Sequence, residues 1–244
     1  MNPAEAVQLL RSLEKEVIAA ANYALEKQVA VKSSQKSDTG ISGLDIVTEA
    51  DLEVQEMILQ TLLKTPFSDA TILAEEATAS VALFTGKSPF TITLDPIDGT
   101  KHYADGEPNF STMLSLLYAG EPIYTLVYYP TGGWLHRITE AGYESTPPPA
   151  WTNLDARDFS QSIITSYEEG PEFKNAWSDT PGELDAYELL FLGKAAGFAT
   201  SKPTVYDGLP PYHLAKVLGW QIKKHVADQP IFDGKALQGY VVRA

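Results

Sequence analysis

Phe90-Thr91-Ile92-Thr93-Leu94-Asp95-Pro96-Ile97-Asp98-Gly99-Thr100 is the stretch from which the rest of the chain is read. β-Branched and aromatic residues from Phe90 to Leu94 favour an extended strand. The strand is expected to stop at Asp95, because Asp-Pro and Asp-Gly are both turn dipeptides. Two carboxylates, Asp95 and Asp98, would then stand on a tight turn at a strand end, the place where α/β folds usually hold ligands. An isolated Asp-Gly pair is an ordinary surface turn, so the weight falls on the whole run from Asp95 to Thr100.

Composition narrows the chemistry. The 244 residues carry 18 basic and 32 acidic side chains, a net charge of −14, which disfavours nucleic acid and anionic membranes as partners. The same charge repels phosphorylated ligands unless bound divalent cations invert the field locally. With no cysteine, disulfides and thiolate metal sites are excluded. His102, His136, His213 and His225 are scattered without ligand spacing, so a bound metal would take oxygen ligands and be magnesium, manganese or calcium. Met1 to Leu10 lacks a basic start and an apolar run, and no stretch reaches membrane-spanning length, so a cytoplasmic protein is expected.

Working outward, apolar residues at Ala6, Leu10, Leu13, Val17, Ala20 and Ala24 predict one amphipathic helix from Pro3 to about Ala30. Lys32 to Gly40 has no periodicity and reads as a loop, in which Lys32 or Lys36 could meet a bound anion. Thr48-Glu49-Ala50-Asp51 precedes Leu52, Val54, Met57, Ile58 and Leu62, and reads as a capping arrangement opening a second helix. Thr71 to Ala74 is a short strand with Glu75-Glu76 at its end, so two strand ends carrying acids would converge on one site. Ala77 to Lys87 is expected to be a loop. Ser111 to Tyr118, Ile123 to Tyr129 and Trp134 to Thr139 predict an antiparallel meander. Pro147-Pro148-Pro149 permits neither helix interior nor central strand and marks a lobe junction, dividing 1–146 from 150–244. Beyond it, a strand is expected at Ser162 to Ser166, a helix at Glu183 to about Phe198, and closing strands at Gly219 to Ala227 and Gly239 to Val242.

Asp95 to Thr100 resembles the signature of the inositol monophosphatase family, the metal-dependent, lithium-sensitive sugar and nucleotide phosphatases. The resemblance continues through Gly106, Pro108 and Phe110, then Gly120-Glu121-Pro122 and Tyr129-Pro130, and upstream through Asp45 to Asp51 and Ala74-Glu75-Glu76. It is good from about residue 40 to 130 and weak afterwards. It implies an α/β (α+β) fold, a layered αβαβα sandwich, with a metal site in the N-terminal lobe and a C-terminal lobe adding substrate pocket and one metal ligand. The implied metal ligands are Glu75, Asp95, Asp98 and the Ile97 carbonyl, with Glu76 as helper. The family's C-terminal tryptophan-aspartate pair is matched by Tyr206-Asp207, although Gly208-Leu209-Pro210-Pro211 replaces the small-residue helix that follows and leaves the helix start open. Asp185 is a second candidate, more like the family's substrate-side Asp-Ala-Tyr.

The implied cofactor is Mg2+, in two or three ions, with Mn2+ as a substitute and Li+ or Ca2+ inhibitory. The implied activity is hydrolysis of a small phosphorylated metabolite by direct attack of a cation-activated water. Glu75, Thr100 and Asp51 would be catalytic, Thr100 passing its proton to Asp51, with Thr48 beside the cage. Asp98, Gly99, Thr100, Lys101 and Asp185 would contact substrate. Lys101 follows the signature threonine as in the 3′-phosphoadenosine 5′-phosphate nucleotidases, while inositol monophosphate, sugar phosphates and histidinol phosphate stay open. A homodimer is expected, as is frequent in the family. The competing reading is a family fold that has lost catalysis and serves as a protein-binding or regulatory module.

Overall fold

The computed structural model describes residues 1–35, 43–146, 163–165, 173–175, 186–191, 195–201 and 203–243. Two sheets account for its strands. The first takes β1 (Thr71–Ala74), β2 (Phe90–Asp98), β3 (Ser111–Tyr118), β4 (Glu121–Tyr129), β5 (Trp134–Thr139) and β6 (Gly142–Ser145), in that spatial order. Only β1 and β2 run parallel; the remainder is the expected meander, extended by β6. The second sheet has the order β10-β11-β9-β7-β8, built from β7 (Ile163–Thr165), β8 (Phe173–Asn175), β9 (Gly197–Thr200), β10 (Gln221–Lys224) and β11 (Tyr240–Arg243).

β3 and β4 are buried on both faces along nearly their whole length, which requires cover on each side. On one side lie α1 (Pro3–Ser12), α2 (Glu14–Gln35) and α3 (Gly43–Leu63), packing Ala6, Val17, Ala20, Val54 and Leu59 against Ile92, Leu94, Leu116 and Tyr124. On the other side, Met113, Leu117, Val127 and Trp134 share a core with α5 (Ala186–Phe191), α6 (Val205–Leu218) and the second sheet. Helices, sheet, helices and sheet follow one another, four layers of the expected sandwich in described residues. Polar ties lock the first pair: Arg137 donates to both carboxylate oxygens of the buried Glu14, at 2.7 and 2.8 Å from Nε, and Tyr124 Oη donates to the same side chain at 2.7 Å.

Several expectations need correction. The first helix is two, α1 and α2, meeting at Leu13, and α2 runs to Gln35 instead of giving way to a loop at Lys32. Once nucleated, a helix extends through Lys, Ser and Gln at little cost, so absent periodicity does not end it. Lys36 and the rest of 36–42 lie outside the described residues, as does the Lys32 side chain. Thr48 to Asp51 do not open α3; the helix begins at Gly43 and Asp51 sits in its third turn. The Ala77 to Lys87 loop holds a 3-10 turn, Ala79–Leu83. The Glu183 to Phe198 helix shrinks to Ala186–Phe191, and Gly197-Phe198 open β9. A Cβ on Gly197 would lie 2.0 Å from the Val242 carbonyl oxygen, so glycine there admits the neighbouring strand. Pro147-Pro148-Pro149 fall outside the described residues; the strands of the first sheet end at Ser145 and those of the second begin at Ile163.

β2 does not stop at Asp95. It continues to Asp98 through a register shift between Asp95 and Asp98. Pro96 occupies that irregularity, the position where a strand tolerates a missing N–H. Its carbonyl is satisfied instead by the buried Thr112 hydroxyl at 2.8 Å. The bulge aims Asp95 and Asp98 from one strand end.

Candidate metal and phosphate site

The site lies beyond the C-terminal ends of β1 and β2. Parallel register pairs Ala74 with Leu94, and the Glu75 N–H continues the ladder to the Leu94 carbonyl at 3.0 Å. Glu75 and Asp95 are therefore side by side on adjacent strands, and their side chains share a hydrogen bond. Asp95 lies on the sheet face that packs against α6, whose first turn delivers Asp207. Carboxylate oxygens of Asp95, Asp98 and Asp207 come within 4.8 Å of one another. From the opposite side, α3 delivers Asp51 near Glu75 and Glu76.

The prolines at 210 and 211 do not destroy α6. Thr204 caps it, its hydroxyl accepting from the Asp207 N–H at 3.3 Å, and the helix runs through both prolines to Leu218. Each proline removes one backbone donor, but both rings are buried in the inter-sheet core. Tyr240 Oη donates to the Gly208 carbonyl next to Asp207, tying the first turn to β11. The departure from the family pattern thus leaves Asp207 beside Asp95 and Asp98. Asp185, the alternative, lies outside the described residues, as do the side chains of Lys101 and Thr48.

Electrostatics mark the cluster as unbalanced. Burial, then repulsion from Asp98, Asp207 and Glu75, holds the Asp95 carboxyl well above the usual carboxylate range. Burial, then Glu75 and Glu76, pushes Asp51 up to about 8. Glu75 stands at the open mouth, yet the surrounding protein still raises it; Asp207 and Glu76 add to this and the hydrogen bond with Asp95 opposes it. Among the described residues no ion pair involves Asp51, Glu75, Asp95 or Asp207. Oδ1 of Asp51, of Asp95 and of Asp207 is each buried without a hydrogen-bond partner. Buried acceptors are costly to leave unpaired, and those of Asp95 and Asp207, which lie together, are what an oxygen-coordinated cation would satisfy. The donor set is all oxygen and anionic, so it fits a hard divalent ion.

Gly99 joins β2 to α4 (Thr100–Asp105) with φ of +85°, and a Cβ there would lie 2.6 Å from the Asn109 carbonyl oxygen. Only glycine satisfies both conditions. The Thr100 hydroxyl donates to the Ile97 carbonyl at 3.1 Å, so its expected link to Asp51 is not formed in this arrangement. Ser111 Oγ donates to Asp98 at 3.4 Å, and the Ile97 side chain is buried against the helices. Sequence reasoning passed over Gln55, one helical turn beyond Asp51 and fully buried; the only available signal was its i+4 spacing.

A sequence model of the inositol monophosphatase family matches residues 6–152. The inositol monophosphatase of Dictyostelium discoideum is 31% identical over 123 residues, covering 50% of this chain and 44% of that protein. The inositol-1-monophosphatase of Synechocystis is 36% identical over 137 residues, covering 56% and 46%. The chain thus spans less than half the length of these curated relatives in its matches to them. Among solved structures, CysQ from Bacteroides thetaiotaomicron, described as a bacterial member of the inositol monophosphatase family, superposes with a TM-score of 0.65 at 20% identity, covering 96% of this chain and 97% of that one. The extragenic suppressor protein suhB from Bartonella henselae gives 0.68 at 15% identity, covering 97% and 93%. These likenesses show a shared fold that extends past residue 152, where sequence similarity fades. With more than half of its length matched by the family's own sequence model, the chain belongs to the inositol monophosphatase family.

Proposed function

We propose that the chain is a metal-dependent phosphomonoesterase acting on a small phosphorylated metabolite. The observation that carries this reading is the gathering of Asp95, Asp98 and Asp207, with orphaned, buried oxygens on Asp95 and Asp207 and Glu75 beside Asp95 on the neighbouring strand end. In it, residues 1–146 form the lobe that holds the metal site, and 150–244 form the lobe that adds Asp207 and shapes the substrate pocket. Glu75, Asp95, Asp98, Asp207 and the Ile97 carbonyl would hold the ions, magnesium being the choice of an all-oxygen set. Bound there, such ions supply the activation of water and the neutralisation of phosphoryl and leaving-group charge that ester cleavage requires.

The chain's own groups then have defined tasks. Gly99 and Thr100 offer main-chain N–H groups to the phosphate at the start of α4, in a turn that a side chain at 99 would block. Thr100 Oγ1 turns from the Ile97 carbonyl toward Asp51, gives Asp51 its proton and takes one from the attacking water. The water oxygen forms the new bond to phosphorus as the ester P–O bond breaks, and the leaving oxygen is protonated from solvent. Asp51 must be ionised to accept, so its task depends on positive charge in the cluster lowering its raised pKa.

For the substrate, Lys101 favours a nucleotide with a second phosphate. One structural neighbour, a staphylococcal inositol monophosphatase at 18% identity, was solved with 2′AMP bound. No helix among the described residues is long and apolar enough to cross a membrane, and the charge of −14 disfavours an anionic bilayer as partner. The test is magnesium-dependent phosphate release from a panel containing inositol monophosphate, 3′-phosphoadenosine 5′-phosphate and fructose bisphosphate. Release from at least one ester, abolished by Asp95→Asn, is expected. No release above the Asp95→Asn level with any ester would leave the binding-module reading in its place.

A further inference from the structure

α3 grips the segment after β1 with three polar side chains. Gln55 Oε1 accepts from the Glu76 N–H at 3.0 Å, and Gln55 Nε2 donates to the Glu76 carbonyl at 2.6 Å and to Thr78 Oγ1 at 3.1 Å. Glu56 accepts from the Ser80 N–H at 3.0 Å and from the Ser80 hydroxyl at 2.5 Å, and Gln60 Nε2 donates to that hydroxyl at 2.7 Å. Gln55 differs from the other two in position and in what it holds. It is fully buried, it binds both main-chain polar atoms of one residue, and that residue adjoins Glu75. Four residues earlier on the same helical face stands Asp51.

We infer that Gln55 is a positioning residue for the metal site: its amide fixes the Glu75-Glu76 main chain against the helix that carries Asp51. The inference rests on the phosphomonoesterase reading for its purpose, but on hydrogen-bond geometry for its substance. Glu75 comes from a strand of only four residues at the edge of its sheet, with a ladder on one side alone. Past Ala74 that ladder contributes one bond, from the Glu75 N–H, after which the chain bends away. Two further contacts to Glu76, from a side chain packed rigidly in a helix, remove the remaining freedom. No other side-chain type of this length presents a donor and an acceptor in one plane, so glutamine suits a paired N–H and C=O as a neighbouring strand would.

Isothermal titration of MnCl2 into the purified full chain tests this without reliance on turnover. Gln55→Met keeps the volume and removes both bonds; Gln55→Asn keeps the polarity, but its amide is one methylene too short to bridge Glu76. Ile138→Ala, on β5 three strands along the sheet from β2, supplies a comparable loss of packing away from the site. Losing a group that orients a ligand typically weakens metal binding 10–100-fold, so the Mn2+ Kd is expected to rise at least about tenfold in both Gln55 variants and to stay unchanged in Ile138→Ala. At saturating metal, KM for the phosphate ester is expected to match the wild type. A Kd unchanged in whichever Gln55 variants fold, or raised equally in Ile138→Ala, overturns the inference. A wild-type chain that takes up Mn2+ but releases no phosphate removes the phosphatase reading and leaves Gln55 judged by the Kd. One that takes up no Mn2+ removes both.

Discussion

Asp51→Asn should stabilise the metal-free protein at neutral pH while abolishing its activity. In the folded chain the Asp51 carboxyl titrates at about 8 against an ordinary 3.8. Between those values the unfolded chain has released this proton and the folded chain has kept it, so stability falls as pH rises, by about 1.4 kcal/mol per pH unit. At pH 7 the penalty is about 4 kcal/mol. An asparagine has no proton to lose and escapes it, but leaves a buried amide short of partners where Oδ1 already has none, at a cost of about 1–3 kcal/mol. The net gain at pH 7 is about 1–3 kcal/mol, which for a chain of this size is a Tm rise of roughly 2–12 °C. At pH 4 the penalty disappears and the order reverses, with the variant less stable by the amide cost. Scanning calorimetry in chelator across pH 4 to 8 should show the two curves crossing. Under the proposed function magnesium favours the ionised form, so in its excess the wild type should overtake the variant. Parallel curves in chelator, with no crossing, would refute both the perturbed titration of Asp51 and its burial among like charges.

Gly99→Ala should cost at least about 1–2 kcal/mol for the left-handed backbone, plus displacement of the Asn109 carbonyl 2.6 Å from the new Cβ; thermal melts and phosphate release should fall together, and a fully active, fully stable variant would contradict the turn. His136 is held down to about 4 by burial, and burial depresses the equally enclosed His213 further. Both bind a proton in the unfolded chain below about pH 6.5 and resist it when folded, so each contribution is intact above that pH and lost as pH falls toward 4. Replacing His213 by Leu, which cannot be protonated, should flatten that acid limb in urea unfolding curves, at the cost of the 2.9 Å bond between Nδ1 and the Thr125 hydroxyl, which keeps Ser115 Oγ as partner. Arg137→Met should destabilise by about 3–5 kcal/mol, because it leaves the buried Glu14 carboxylate with the Tyr124 hydroxyl at 2.7 Å and, for counter-charge among the described residues, the partly exposed Arg11 at 4.0 Å; a urea midpoint within error of wild type would show the pair to be dispensable.

What the sequence made legible is what local chemistry forces. An apolar run ending in Asp-Pro-Ile-Asp-Gly has few ways to fold, and the side-by-side register of β1 and β2 turns two acid-tipped strands into one site. Glu75, Asp95 and Asp98 were readable for that reason. The strand's continuation to Asp98 was not, since a bulge satisfies Pro96 through Thr112, a partner sixteen residues away whose hydroxyl carries no signal in isolation. Thr48 to Asp51 looked like a helix start because the same residue types serve as a cap or, in mid-helix, as a presented face; only the tertiary context separates these. Gln55 was nearly invisible for a related reason: apart from its i+4 spacing from Asp51, nothing in the sequence marks a glutamine that will be buried and bonded to main chain.

Asp207 joins these levels. Proline at two successive interior positions argues locally against a helix, and the family pattern is lost there as well. The helix nevertheless forms, because Thr204 caps it, Tyr240 ties its first turn to the second sheet and both faces of α6 are buried between sheets. Helical stability in proteins comes mainly from such packing and only secondarily from propensity. Removing one outside tether should therefore act on Asp207 before it acts on the helix. Tyr240→Phe deletes the hydroxyl that bonds the Gly208 carbonyl and nothing else. It should reduce stability by only about 1 kcal/mol, the worth of a single buried hydrogen bond. Under the proposed function, metal affinity should weaken by more than that stability loss accounts for, because the bond lies one residue from Asp207. Equal metal affinity in wild type and Tyr240→Phe would mean that the cap and the inter-sheet packing suffice to hold Asp207 without β11.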